Sequence, residues 1–182
     1  LKDGNYDRVE SMLKESLKRE PANACRLQQL HSLLTARDDR QELYRYHPRL
    51  LAMLADSNDG DTMAGLLATI ESIQPGFKPD DPELTLRCAK VLYNRGQFKP
   101  ALKLLQDFHK RFPGSECLPH AYLTMAQALA NGLGQWEKAT AFLSFVKKRC
   151  ANHPLHEQID VYLQQARNRE PLKGPRASFN VE

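Results

Sequence analysis

The sequence predicts an all-α protein, a right-handed solenoid of antiparallel helix pairs with about nine helices and no strand. Three observations lead to this prediction. A turn–helix–stop pattern recurs four times along the 182 residues. Its apolar residues stand three and four positions apart, which is the spacing of one helical face. A repeat of this length is typical of arrays in which each helix pair buries its apolar face against its neighbours.

Each copy of the pattern begins at a glycine or asparagine, which accepts the left-handed conformation of a tight turn. An amphipathic helix follows and ends at a proline, because proline cannot continue a helix. The copies run from Gly4 to Pro21, from Asn58 to Pro75, from Gly96 to Pro113 and from Gly134 to Pro154, the last with its proline displaced by three residues.

The first predicted helix carries the apolar stripe Val9, Met12, Leu13 and Leu17. No helix precedes it in the sequence, so we expect the chain to be a piece of a longer protein. We also expect part of this stripe to be exposed, because its partner helix would lie upstream.

Two helical stretches, 22–36 and 39–55, fill the long gap between the first two copies. Pro48 interrupts the second stretch, so that it forms either two short helices or one long kinked helix. Leu43, Leu50 and Leu54 stay close to one helical face across the proline, which favours the long helix. The unequal spacing of the prolines that end the four copies predicts an irregular joint in the helix array near residues 40–80, with residues 74–81 as a proline-rich link.

The last two copies each follow another helix, 82–95 and 119–130, with small and apolar residues on one face. A capping helix over 155–167 should turn Ile159, Tyr162, Leu163 and Ala166 inward. Its solvent side should hold Glu157, Gln158, Gln164 and Gln165. The domain is therefore predicted to span 1–167, and the tail 168–182 to be mobile or bound in an extended form.

In a motif of 34 residues counted from Pro82, the small residue at position 8 is Ala89 and the large residue at position 11 is Leu92. Counted from Pro119, position 8 is Ala126, and one inserted residue precedes Gly134. On these residues the chain resembles the tetratricopeptide-repeat (TPR) family, most specifically over 82–154. The run of residues 112–115 together with 121–122 is similar to repeats of bacterial envelope-associated proteins.

This resemblance implies a non-catalytic scaffold, a soluble part of a larger bacterial protein, that binds a peptide or protein in a groove. The groove positions of the family fall here on Glu83, Leu86, Lys90, Tyr93, Asn94, His120, Leu123, Gln127 and Asn131. The asparagines are expected to pair with a peptide main chain, and Tyr93 to be an aromatic anchor or else a core residue. Any of these residues can instead be ordinary solvated surface. The family's carboxylate clamp is not supported, because its lysine and asparagine are replaced by Leu86 and Lys90.

Charge is divided unevenly along the chain. Residues 1–84 hold 11 basic and 15 acidic side chains, whereas residues 85–182 hold 15 and 7. The acidic side chains are densest over 56–83. The simplest interpretation is solvated helix surface. The alternative function is a self-assembly module in which this acidic stretch meets the basic half of a second copy.

Other classes of function lack the residues they need. No phosphate-binding loop, nucleophile elbow or metalloprotease motif is present, so we predict no enzyme, cofactor or metal site. The basic clusters are too scattered for nucleic acid, and no apolar run is long enough for a membrane helix. Membrane contact would thus need a segment outside this chain. Cys25 and Cys88 stand among apolar residues at helical spacing, so we expect reduced, buried thiols at both positions. Reduced thiols favour the cytoplasm, and the periplasm is the alternative.

Overall fold

A computed structural model describes residues 3–21, 23–149 and 154–173. These residues form helices and connecting turns without a strand, which confirms the all-α class. The chain divides into two compact units, Leu1–Pro79 and Asp80–Glu182. The boundary falls inside the predicted link over 74–81. The single repeat array over 1–167 stays a prediction.

The first unit contains four helices that pack consecutively, α1 (Asp3–Arg19), α2 (Ala24–Ala36), α3 (Arg40–Asp56) and α4 (Gly60–Ile73). The side chains of Asn23, Asp39 and Asp59 accept hydrogen bonds from backbone N–H groups at the starts of α2, α3 and α4. Such caps satisfy donors that have no partner within the helix. The core of the unit is a leucine cluster, Leu17, Leu27, Leu30, Leu34, Leu43 and Leu50.

Helix α3 runs through Pro48 without interruption, which confirms the long-helix interpretation. The stripe on α1 is only partly covered, since Leu17 is buried while Val9 and Met12 are 43% and 64% exposed. The burial predicted for Cys25 is wrong: it lies exposed, because the buried side of α2 is set by Leu27, two residues further along. Cys88 is buried as predicted, and Cys150 lies outside the described residues.

The second unit contains α5 (Pro82–Asn94), α6 (Phe98–Leu105), α7 (Phe108–Arg111), α8 (Leu118–Gln127), α9 (Trp136–Arg149) and α10 (His156–Arg167). Asp107 adopts a left-handed conformation with φ of 59° and breaks the predicted sixth helix into α6 and the single turn α7. Besides the single turn α7, the described part of the chain has nine α-helices, in agreement with the prediction of about nine. Gly96 and Gly134 have φ of 76° and 64°, which confirms the predicted turns before α6 and α9.

Two apolar clusters hold the second unit together. One surrounds Phe108 between α5 and α8, and the other joins α8, α9 and α10. The small residues Ala89 and Ala126 are completely buried, which allows neighbouring helices to approach closely. No described helix combines the length and the apolar character that crossing a membrane requires.

Candidate functional site

The second unit contains a short C-terminal segment that is held against its helices. Helix α10 ends in a turn in which Glu170 N–H donates to the Gln165 carbonyl over 2.8 Å. Arg169 occupies the left-handed region of this turn, with φ of 57°, where a residue other than glycine carries strain. After the turn the described chain continues without regular secondary structure to residue 173.

Both the oxygen and the nitrogen of the Asn131 side-chain amide bind the main chain of Leu172. Its Oδ1 accepts the Leu172 N–H over 2.7 Å, and its Nδ2 donates to the Leu172 carbonyl over 3.2 Å. The N–H and C=O of one residue point to the same side only when the chain is extended, as in a β-strand. Asn131 therefore binds this segment in the way that a neighbouring strand would.

Gln165 on α10 repeats the arrangement one residue later. Its Oε1 accepts the Lys173 N–H over 3.0 Å, and its Nε2 donates to the Lys173 carbonyl over 3.3 Å. Successive residues of an extended chain direct their polar groups to opposite edges. The segment is thus bound at both edges, by Asn131 at Leu172 and by Gln165 at Lys173. Gln127 also contacts the Leu172 carbonyl. We call Gln127, Asn131 and Gln165 together the tail-binding site.

Two tyrosines position the amide groups of this site. The Tyr93 hydroxyl accepts a hydrogen bond from Asn131 Nδ2 over 3.0 Å. Gln127 Nε2 donates both to the Tyr162 hydroxyl, over 2.8 Å, and to the Leu172 carbonyl, over 3.3 Å. Burial raises the pKa of the Tyr162 phenol, which keeps this group neutral. All hydrogen bonds to the segment therefore join uncharged side-chain amides to main-chain groups.

The side chain of Leu172 supplies the apolar part of the contact. It is 1% exposed and belongs to the cluster that joins α8, α9 and α10. Its neighbours Glu170, Pro171 and Lys173 are exposed. A single aliphatic side chain is thus buried, and the flanking side chains face solvent.

A π-helical turn, Ala128–Gly132, follows α8 and carries Asn131. A π turn holds one residue more than an α turn, which accounts for the single insertion that precedes Gly134. Gly132 lies directly against Phe98, because a Cβ atom there would stand 2.3 Å from the ring. The Phe98 ring in turn packs edge-on against Tyr93, at 5.6 Å between centroids. Close packing thus supports the hydrogen-bonded pair Tyr93–Asn131.

The structure brings together some of the predicted groove residues and not others. Gln127 and Asn131 contact the C-terminal segment, and Tyr93 contacts Asn131. Leu86 and Leu123 are 6% and 5% exposed, so their side chains contribute to the core rather than to an open surface. The side chains that lie at the surface are Glu83, Lys90, Asn94 and His120.

Three contributors to the site were not predicted as site residues. The sequence places Gln165 and Gln158 on the solvent side of α10, whereas both are half-buried in the structure. Gln158 donates a hydrogen bond to the Tyr162 hydroxyl over 3.2 Å. The solvent assignment is wrong for Gln165 because Lys173 of the returning segment binds it, and for Gln158 because its amide turns to the Tyr162 hydroxyl. Leu172 is the third. The sequence signal for Leu172 is weak, because it is a single leucine that follows a proline in a polar tail.

A pair of buried histidines is the other unusual feature, and it lies in the first unit. His31 and His47 are 8% and 0% exposed, and their ring centroids are 5.4 Å apart. Neither ring nitrogen of His47 has a hydrogen-bond partner within the described part of the chain. Burial, and secondarily the neighbouring His31, lowers the pKa of His47 to about 4, and burial also lowers the pKa of His31.

Comparison with known proteins adds no assignment: no protein-family model matches the chain, and no curated protein is significantly similar to it. Over residues 3–21, 23–149 and 154–173 the structure contains no cluster of three or more side chains that could hold a metal ion. His153, which stands three residues before His156 in the sequence, lies outside those ranges. Self-association through the acidic and basic halves stays a prediction.

Proposed function

We propose that the chain is a non-catalytic protein-interaction scaffold of TPR-like helical-repeat type, and that its second unit binds a peptide in an extended conformation. One observation carries this proposal. The amides of Asn131 and Gln165 each contact both the N–H and the C=O of one residue in an extended segment. Such bonds select the shape of a main chain and not the identity of its side chains.

The positioning of these amides supports binding as their role. A freely rotating asparagine loses conformational entropy when it binds a ligand, whereas Asn131 is already oriented by Tyr93 and Gln127 by Tyr162. Pre-orientation lowers the cost of association. The site is also neutral, which suits the main chain of a peptide better than a charged ligand.

A peptide selection tests the proposal. Peptides selected from a random library on the full chain carrying Leu172→Asp, which removes the chain's own leucine from the site, should depend on the two amides. Adding Asn131→Ala or Gln165→Ala should each weaken binding by about tenfold, the effect of losing two hydrogen bonds of modest net strength. Gln164→Ala is the matched control, because Gln164 neighbours Gln165 on the same helix but is exposed. Selected peptides that bind both test variants as tightly as they bind the Leu172→Asp chain would contradict the proposal.

A further inference from the structure

The chain's own segment Glu170–Lys173 indicates what kind of ligand the site accepts. Five hydrogen bonds join the site to this segment, all to main-chain groups of Leu172 and Lys173. Only one side chain of the segment, that of Leu172, is buried. The site can therefore distinguish two properties of a ligand, which are whether its main chain is extended and how large one of its side chains is.

We propose that the tail-binding site takes an extended segment of a partner protein with one leucine-sized aliphatic side chain, and that such a partner must displace residues 170–173. This inference rests on the peptide-binding function proposed above and adds both the chemistry of the ligand and the control of access. The side chains that flank the leucine contribute little to selection, since their counterparts Pro171 and Lys173 are exposed.

The attachment of the segment makes it a strong competitor. Only four residues separate the last residue of α10, Arg167, from Leu172. The turn at Arg169 directs the chain back along the helix, and Arg169 is held to Glu137 by an ion pair of 2.8 Å at the surface. A ligand joined by so short a connection acts at a high effective concentration. A partner segment of equal intrinsic affinity therefore binds weakly while the segment stays in place.

The contacts of the segment also limit its own affinity. Its bonds are between neutral groups, each of modest net strength, and the left-handed conformation of Arg169 adds strain. Its buried apolar surface is that of one leucine. Binding of the internal segment is therefore reversible, which displacement by a partner requires.

The test uses the full chain and a fluorescein-labelled peptide with the sequence of residues 168–175. Leu172→Asp should release the internal segment, because a carboxylate is strongly disfavoured in an apolar cluster. The labelled peptide should then bind this variant about 10- to 100-fold more tightly than it binds the wild-type chain, the factor that corresponds to burial of one leucine. Fluorescence anisotropy measures both affinities.

Three controls make the result specific. Lys173→Asp introduces the same charge at an exposed neighbour whose main-chain bonds remain, so it should leave the affinity at the wild-type level. Adding Asn131→Ala to Leu172→Asp should weaken the peptide again by about tenfold, the loss of the two Asn131 hydrogen bonds. Leu172→Ala, a milder change, should raise the affinity in the same direction if the aspartate variant fails to fold.

The outcomes separate this inference from the proposed function. Equal, Asn131-dependent binding to the wild-type chain and to Leu172→Asp would overturn displacement while leaving peptide binding intact. Absence of binding to every folded variant would overturn the proposed ligand class, and the selected peptides would then decide the proposed function alone. A wild-type dimer that Leu172→Asp converts to a monomer would show that the segment occupies the site of a second copy, which also overturns displacement within one chain.

Discussion

Acidification should destabilise the first unit through its buried histidines. His47 is fully buried and its pKa is lowered from 6.5 to about 4, so the folded unit holds it neutral over a range where the unfolded chain takes up a proton. The His47 contribution to stability is complete above pH 6.5 and falls as the pH drops toward 4. The loss is about 2 kcal/mol at pH 5 and approaches about 3 kcal/mol near pH 4. His31, whose pKa is lowered in the same direction, adds to this loss.

Hydrogen exchange of α2 and α3, corrected for the intrinsic effect of pH, measures this change in the first unit. Fluorescence of the single tryptophan, Trp136, reports on the second unit and serves as an internal reference. The matched variant is His47→Leu, which has a similar volume and no titrating group. It should remove most of the pH dependence and stabilise the unit at pH 7, because buried nitrogens without partners are costly. Identical pH dependence in His47→Leu and in the wild-type chain would refute this reasoning.

Three substitutions test individual contacts. Tyr93→Phe removes the acceptor that orients Asn131, so on the Leu172→Asp chain it should weaken peptide binding by roughly 0.5–1.5 kcal/mol with little change in melting temperature; a large loss of stability with unchanged affinity would identify Tyr93 as a core residue. Gly132→Ala places a methyl group against the Phe98 ring and should destabilise the second unit by about 1–3 kcal/mol, measured by urea denaturation. Pro48→Ala restores a backbone donor inside α3 and should stabilise the first unit by about 1–3 kcal/mol; an unchanged midpoint would mean that the helix has already adapted to the proline.

The helices were predictable because their signals are local. Apolar residues at helical spacing identified α3 across Pro48, and the turn residues Asn58 and Gly96 identified the starts of α4 and α6. Asp107 gave no such signal, because an aspartate in the left-handed region is uncommon and depends on its surroundings. The break between α6 and α7 was missed for that reason.

The site was predictable only in part because it combines two different kinds of information. Counting along the resembled motif selected Gln127, Asn131 and Tyr93, and only the asparagine was expected to pair with a peptide main chain. The role of Gln165 depends on its contact with a segment that turns back onto α10 after the helix has ended. Amphipathic spacing identifies the side of α10 that faces the other helices, and it carries no information about what covers the opposite side.

Replacing one amide of the labelled peptide by an ester tests main-chain recognition most directly. An ester at the leucine removes the N–H that Asn131 Oδ1 accepts in the internal segment and leaves every side chain unchanged. On the Leu172→Asp chain the ester peptide should bind about 3- to 10-fold more weakly than the amide peptide. That difference should disappear when Asn131→Ala is added, since the two changes remove the same bond. Equal affinity of the ester and amide peptides for the Leu172→Asp chain would contradict recognition of an extended main chain at this site.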